Sequence, residues 1–403
     1  MTPRIAIVHD WIVSMRGGER VLESLCRLYP HAPVFTLRYL RAHVSPAIAA
    51  RDVRPAFIDR LARHLPLGQA DFRMLLPLFP MAIQSLRLDG YDLIVSSSHA
   101  VAKGAIAPPG ALHVSYVHSP MRYVWEAERD YRPSVPGGAL GRLAFGALAG
   151  YLRRWDLAST ARVDALVANS AYTQARIRRI YGRAADVIEP PVDAARFAAV
   201  PDPPPLDGRP PVYLCVSALV PYKRVELAVR AFSAPERRGR LIVVGEGAER
   251  ARLQRLAGTN VELRGRVDDA ELLRLYATCR AVIHPALDDF GIVQVEALAA
   301  GRPVVAFAAG GALDVVREGE TGVLFEAPTA EALGAAVDRL ERLTFDPARL
   351  RAAAQRFDRA AFERRFGAFV EAALARARDG ARGRSSALPS ARVPDVTNAR
   401  PGR

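Results

Sequence analysis

The chain has 403 residues, 50% of them hydrophobic and 24% charged, which leaves room for a large core and excludes a wholly disordered chain. The net charge is +14, but Lys103 and Lys223 are the only lysines, and so strong an arginine bias is poor evidence for nucleic-acid binding. Three scattered cysteines, Cys26, Cys215 and Cys279, are too few for a disulfide framework or a zinc site and read as core residues in a reducing compartment.

The N-terminus runs straight into a strand-like segment, Arg4–Val8, without the apolar stretch and cleavage site of a signal peptide, so a cytoplasmic protein is expected. Further strand-like runs in the first half are Leu93–Ser96, His113–Val117, Leu166–Ala168 and Val187–Ile188. The Gly-rich apolar stretch from Val135 to Leu152 is interrupted by Arg142 and closed by Arg153-Arg154. It is too short for a membrane span and reads as a packed helix. The second half contributes Val212–Val216, Leu241–Val244, Val261–Leu263, Ala281–Ile283, Val304–Phe307 and Gly322–Phe325. Helical periodicity falls between them, on Glu19–Leu28, Val225–Phe232, Glu271–Tyr276 and Val293–Ala300.

Alternating strand and helix predicts an α/β protein with parallel sheets covered on both faces. The proline cluster after Val200 can form only a linker. The chain therefore divides into a Rossmann-like, doubly wound domain over residues 1–200, a linker over 201–208, a second such domain over 209–355, a helix over 356–379 and a disordered tail over 380–403. Ligands are expected in the central cleft, at the carboxyl ends of the strands. Residues 1–200 hold 25 basic and 16 acidic side chains, whereas residues 201–379 hold 26 and 25. A basic first half implies an anionic partner, a phospholipid surface or a phosphorylated acceptor, or else a solvated arginine-rich surface.

Four stretches near strand ends carry candidate chemistry. Gly17-Gly18 precede a helix and permit close backbone approach to an anion, or form a plain turn. Lys223-Arg224 follow a strand and open a helix, the pattern of a diphosphate site or of a surface pair. Asp288 stands in a strand-to-helix loop and Glu296 in the following helix. Carboxylates suit hydroxyl-rich ligands and the free N–H groups around Gly291 suit phosphate; the alternative is a helix cap and a solvated glutamate. His118 ends a strand beside Pro120 and Arg122, facing the cleft or serving the core.

The order of these stretches resembles the retaining GT-B glycosyltransferases of the large fourth family, and among them the bacterial mannosyltransferases of O-antigen and related surface polysaccharides. The matching segments include Gly17-Gly18-Glu19, Ser96–Gly104, Tyr116–Trp125, Tyr151–Asp156, Leu219–Val225, Val244–Gly247, Gly265–Val267, Asp289–Ala297 and Gly310-Gly311. The family's hallmark is a glutamate, seven residues and a second glutamate; here Asp288 takes the first place and Glu296 the second. The resemblance implies that Lys223 and Arg224 hold the leaving diphosphate and that Asp288 binds donor-sugar hydroxyls, with the N–H groups of Phe290, Gly291 and Ile292. Glu296 would bind the ribose, Val267 would meet the base, and Gly17 and Gly18 would approach the diphosphate. His118 would lie near the transferred sugar, at its 6-hydroxyl.

The same resemblance implies a metal-independent hexosyltransferase with no cofactor, using a nucleotide-sugar donor, GDP-mannose, and a lipid-linked saccharide acceptor. The helix from Arg356 would cross back onto the first domain. Lys103 and Arg122 are candidates near the acceptor pyrophosphate, and Trp11, Tyr123 and Trp125 either stack on sugars or pack in the core. Residues Phe57–Leu88 alternate apolar and basic positions, broken by Pro66, Pro77 and Pro80, as an inner-membrane-apposed segment or a buried subdomain would. UDP-sugar donors and a nucleotide-sugar epimerase of the same fold stay open. A dinucleotide oxidoreductase would need the spaced glycine fingerprint, which is missing after the first strand. A non-enzymatic nucleic-acid or membrane binder would need one continuous basic stripe, which the near-neutral second half opposes.

Overall fold

The strand-forming runs pair into two separate, wholly parallel sheets. The computed structural model describes residues 3–65, 71–125, 138–202 and 208–386; residues 203–207 of the expected linker, residues 387–403 of the tail, Pro66 and the side chain of Tyr123 lie outside the described residues. The first sheet contains β1 (Ile5–His9), β2 (Val34–Thr36), β3 (Val53–Pro55), β4 (Leu93–Ser98), β5 (Leu112–Val117), β6 (Ala165–Ala168) and β7 (Asp186–Val187), in the order β3-β2-β1-β4-β5-β6-β7. The second contains β8 (Val212–Val216), β9 (Arg240–Val244), β10 (Val261–Gly265), β11 (Ala281–His284), β12 (Val304–Phe307) and β13 (Gly322–Phe325), in the order β10-β9-β8-β11-β12-β13. The expected pair of Rossmann-like α/β domains enclosing a cleft is thus what the chain forms.

Each sheet reverses its winding direction once, between β1 and β4 in the first and between β8 and β11 in the second. The connections on the two sides of such a switch point leave in opposite directions and open a crevice at the carboxyl ends of the strands. The positions that follow β1, β4, β8 and β11 are therefore where ligand-binding groups should collect.

The sheets are apolar on both faces because helices cover both. In β4 and β5 every residue is buried. One face of the second sheet packs Val295, Leu298 and Leu350 against Leu214 and Val282; the other packs Val229, Phe232 and Val337 against Cys215 and Ile283. All three cysteines are buried and free.

The final helix, Arg359–Ser386, belongs by contact to the first domain. Phe362, Phe366, Val370 and Ala373 fall at helical spacing on one face and pack with Ile7, Leu25 and Tyr116. Tyr116 meets the rings of Phe362 and Phe366 edge-on, at 5.7 and 6.1 Å. The helix runs to Ser386, seven residues beyond the expected end at 379. The chain crosses between domains twice, and the crossings touch: the Val192 N–H donates to the Phe357 carbonyl at 2.9 Å.

Among the described residues no helix is long and apolar enough to cross a membrane. The stretch Gly138–Thr160 is one helix, with Leu152 and Asp156 buried and Leu143 and Tyr151 exposed.

Candidate active site

On the second domain, the chain leaves β8 through Ser217–Val220, makes one 3₁₀ turn at Pro221–Lys223 and enters the helix Val225–Ser233. Arg224 sits at the junction with φ +51°, the sole non-glycine residue with positive φ among the described residues. That reversal sends neighbouring side chains apart. Lys223 Nζ reaches both carboxylate oxygens of Asp288, at 2.7 Å each. Arg224 runs the other way, its guanidinium 4.9 Å from the Phe307 ring centroid, and lines a cavity of about 330 Å³ with Val220, Pro221, Glu226, Glu249 and Arg252. The adjacent cations therefore do not form one paired claw here.

Asp288 stands in the loop between β11 and the helix Ile292–Ala299. His284 Nε2, at the end of β11, lies 3.3 Å from Asp288 Oδ2. Burial alone would push the Asp288 carboxyl up, but Lys223 and His284 together hold it well below the usual carboxylate range. The loop reaches the helix through Gly291 at φ +89°, where a Cβ would come 2.2 Å from Gln294 Nε2. Behind it, Gly311 touches the Phe290 backbone so closely that a Cβ would stand 2.2 Å from the Phe290 Cα. Phe290 packs on Phe357 at 5.5 Å, fixing the start of the helix, whose first N–H groups find no partner within the helix itself.

Glu296 lies one to two turns further along, nearly buried, and accepts a 3.2 Å hydrogen bond from the Tyr276 hydroxyl. Burial raises its carboxyl pKa, while Arg20 from the first domain and the Tyr276 hydroxyl pull it back down. Val267 is half-buried and packs against the same core as Tyr276 and Ile292. Lys223, Asp288, Gly291, Ile292 and Glu296 thus share one loop-and-helix edge, at the switch point of the second sheet.

The glycine loop of the first domain faces that edge. A Cβ at Gly17 would sit 2.9 Å from Ile292 Cδ1, and one at Gly18 would sit 3.5 Å from His9 Cε1 and 3.9 Å from His118 Nε2. His118, half-buried after β5, is therefore brought beside Gly18 and opposite the second domain. Glu19 caps its own helix by accepting from the Arg16 N–H at 3.0 Å.

Of the two acceptor-side candidates, one is buried in the first domain and the other reaches into the cleft. Lys103 is 1% exposed, and its ammonium is bonded to Asp156 and to the Ala100 carbonyl; Trp125 Nε1 and the Tyr181 hydroxyl also donate to Asp156, at 2.7 Å each. Lys103 is held in the interior of the first domain. Arg122 crosses the cleft instead: Nη2 lies 3.3 Å from Asp289 Oδ2 and 3.4 Å from the Leu287 carbonyl, and its guanidinium lies 5.1 Å from the Tyr222 ring centroid. Trp11 is buried against Phe72 and Phe79 in the first core.

Several polar groups at the cleft were not singled out in the sequence. Asp289 also binds Arg176, 2% exposed on the helix Ala171–Tyr181, so one carboxylate of the second domain sits between two arginines of the first. Asp10, directly after β1, is fully buried. Its Oδ2 accepts from the N–H groups of His99 and Ala100 at 2.6 and 3.0 Å, and its Oδ1 from Val101 and Ala102 at 2.6 and 2.7 Å. His99 Nδ1 adds a contact at 3.0 Å. The one available signal was position, since Asp10 and Ser97 both stand at the carboxyl side of the first sheet's switch point. Among the described residues no group of three or more His, Cys, Asp or Glu side chains is arranged to hold a metal ion.

Residues 15–196 match the family model described as Glycosyltransferase Family 4, and residues 198–357 match that of Glycosyl transferases group 1. A GDP-mannose-dependent alpha-mannosyltransferase of Mycobacterium tuberculosis is 31% identical over 310 residues, 72% of each chain. A GDP-mannose-dependent alpha-(1-6)-phosphatidylinositol monomannoside mannosyltransferase of Mycolicibacterium smegmatis is 32% identical over 208 residues, 44% of this chain and 53% of that one. The match thus spans about half the length of the first curated relatives. In fold, a sucrose-phosphate synthase from Thermosynechococcus elongatus superposes with a TM-score of 0.67 over 92% of this chain and 99% of its own, at 20% identity.

Proposed function

We propose that this chain, which belongs to the glycosyltransferases of the GT-B fold, moves mannose from GDP-mannose onto a lipid-linked saccharide with retention of configuration and without a metal. The observation that carries the reading is the Lys223–Asp288 pair, set beside the start of the Ile292–Ala299 helix and across from Gly17-Gly18. The pair holds a cation for phosphate and a carboxylate for sugar hydroxyls in one place, each neutralising the other until a donor separates them.

In this mechanism the donor diphosphate enters between Gly17-Gly18 and the N–H groups of Gly291 and Ile292. Lys223 exchanges Asp288 for a phosphate oxygen and stabilises the charge that develops as the diphosphate leaves. Asp288, ionised across the physiological range, accepts hydrogen bonds from the sugar. Glu296 takes the ribose hydroxyls, the backbone at Val267 meets the base, and His118 stands at the sugar beside Gly18. Arg224 serves the outer phosphate after its side chain swings from Phe307. The contacts of Arg122 and Arg176 with Asp289 hold the domains together around the donor and exclude water.

The guanine base and mannose rest on the names of the two mannosyltransferases that this chain resembles. The membrane reading rests on the first domain: Phe57, Leu61, Leu65, Met74 and Met81 are exposed apolar side chains among the exposed Arg60, Arg63 and Arg87. Such a surface suits the inner face of the cell membrane, where a lipid-linked acceptor would be presented.

Calorimetric titration of the full chain with GDP, UDP, ADP and NAD, without added metal, tests the reading. GDP should bind, and Lys223→Ala should weaken it roughly 10- to 150-fold, the value of about 1.5–3 kcal/mol for a hydrogen bond to a charged group. A UDP preference would replace the donor and keep the site. Binding of NAD alone, or full activity in Lys223→Ala and Glu296→Ala, would overturn it.

A further inference from the structure

Beneath the glycine loop lies a chain of three side chains, of which the donor contacts above use only His118. His9 Nδ1 is 3.1 Å from Ser97 Oγ, and Ser97 Oγ is 2.8 Å from His118 Nε2. His9 and Ser97 are 0% exposed, and His118 is the half-buried end of the chain. Burial keeps both imidazoles neutral, reinforced by repulsion from His99: His9 is pushed down to about 3, and His118 falls well below the ordinary histidine value. His99 is seated on the Asp10 carboxylate, its ring 6.1 Å from His9 and 6.3 Å from His118.

The serine hydroxyl has one proton and therefore donates to one imidazole and accepts from the other. The two neutral rings must then hold complementary tautomers. Either His9 donates from Nδ1 to Ser97, Ser97 donates to His118 Nε2 and His118 carries its proton on Nδ1, or every bond in the chain is reversed. The far nitrogen decides between them. His9 Nε2 is buried with no hydrogen-bond partner. In the first arrangement it is a bare acceptor; in the second it is an orphaned N–H. Orphaned buried donors are rarer than under-satisfied acceptors, so the first arrangement is favoured.

We propose that His9 and Ser97 are positioning residues that fix His118 in its Nδ1–H tautomer, so that the ring donates a single hydrogen bond to a hydroxyl of the transferred sugar. The second clause rests on the placement of His118 at the sugar in the proposed function; the first does not. The class of donor selected is a hexose with an acceptor hydroxyl at that place, in preference to the corresponding deoxyhexose.

The test has two arms, both on the full chain. Nitrogen-15 NMR of the histidine-labelled protein at pH 7 should show His118 with a protonated Nδ1 and an unprotonated Nε2. In Ser97→Ala that signature should be lost, and in Ser97→Thr, which keeps the hydroxyl, it should be retained. A wild-type His118 protonated on Nε2, or a signature unchanged in Ser97→Ala, would overturn the tautomer assignment whatever the enzyme transfers. In the second arm, Ser97→Ala and His9→Asn should leave GDP affinity unchanged and weaken GDP-mannose about 5- to 10-fold, one neutral hydrogen bond. Equal losses for GDP and GDP-mannose would mean a merely structural role. With the NMR signature present, failure of wild-type protein to favour GDP-mannose over GDP would overturn the sugar contact and leave the relay standing.

Discussion

Replacing Lys223 with methionine removes a charge but keeps most of the side chain's volume, and its cost can be worked from the pair it breaks. At 2.7 Å and an effective dielectric of ~20, the gross attraction to Asp288 is about 6 kcal/mol, most of which desolvation cancels. The loss that matters is the carboxylate left behind. Asp288 is 13% exposed and keeps only His284, at 3.3 Å, of the two groups that hold it down. Breaking a buried pair from one side costs about 3–5 kcal/mol, and the remaining histidine places Lys223→Met at the low end, about 3 kcal/mol. For a domain of this size that is a fall of about 6–12 °C in the calorimetric transition of the second domain at pH 7. Asp288→Asn added to Lys223→Met should recover most of it, since no buried charge remains. The sign with pH follows from the lowered Asp288 pKa. In the wild type this stabilisation is full above the unfolded carboxylate pKa of about 4 and is lost as pH falls through the lower folded value. In Lys223→Met the carboxyl titrates higher, so the gap between the two proteins should begin to close at a higher pH. A fall below about 2 °C at pH 7, or no recovery in the double variant, would refute the coupling on which the donor site is built.

Gly311→Ala should displace the loop that carries Asp288, because its Cβ would meet the Phe290 backbone rather than a side chain that can swing away; we expect about 1–3 kcal/mol of lost stability together with lost GDP binding by calorimetry. Asp289→Ala should leave Arg122 and Arg176 facing each other without their shared carboxylate, so that small-angle scattering reports a larger radius of gyration while GDP still binds. Met74→Ser with Met81→Ser should leave the melting temperature within about 1 °C, since these side chains are 72% and 53% exposed, yet should reduce flotation with anionic vesicles.

The sheets were legible because their strands announce themselves. The bounds of Val212–Val216, Val304–Phe307 and Gly322–Phe325 match the observed strands residue for residue, as apolar runs bounded by proline, glycine or polar residues should. Val34–Thr36 and Val53–Pro55 were not read, being only three residues long, and the second is half exposed. In the cleft, residue type and strand-end position drew notice to Lys223, Asp288 and His118. Pairing was not legible. Lys103 carries the rarest charge in the chain, but its partner Asp156 is 53 positions away, and nothing local tells a buried lysine from one facing a ligand. The four N–H groups on Asp10 come from a loop about 90 positions on, visible only once β1 and β4 lie side by side. Arg224 diverges from Lys223 because of one backbone angle that the sequence does not mark.

The last helix also sets an order of events during synthesis. Phe362, Phe366, Val370 and Ala373 complete the core that Ile7, Leu25 and Tyr116 begin, so the first domain to leave the ribosome lacks one wall until nearly the whole described chain has followed. The second domain finds its apolar partners within a contiguous span and can close sooner. The N-terminal domain must therefore wait with an open apolar face while its neighbour folds. A nascent chain halted before residue 359 would expose that face to chaperones and proteases.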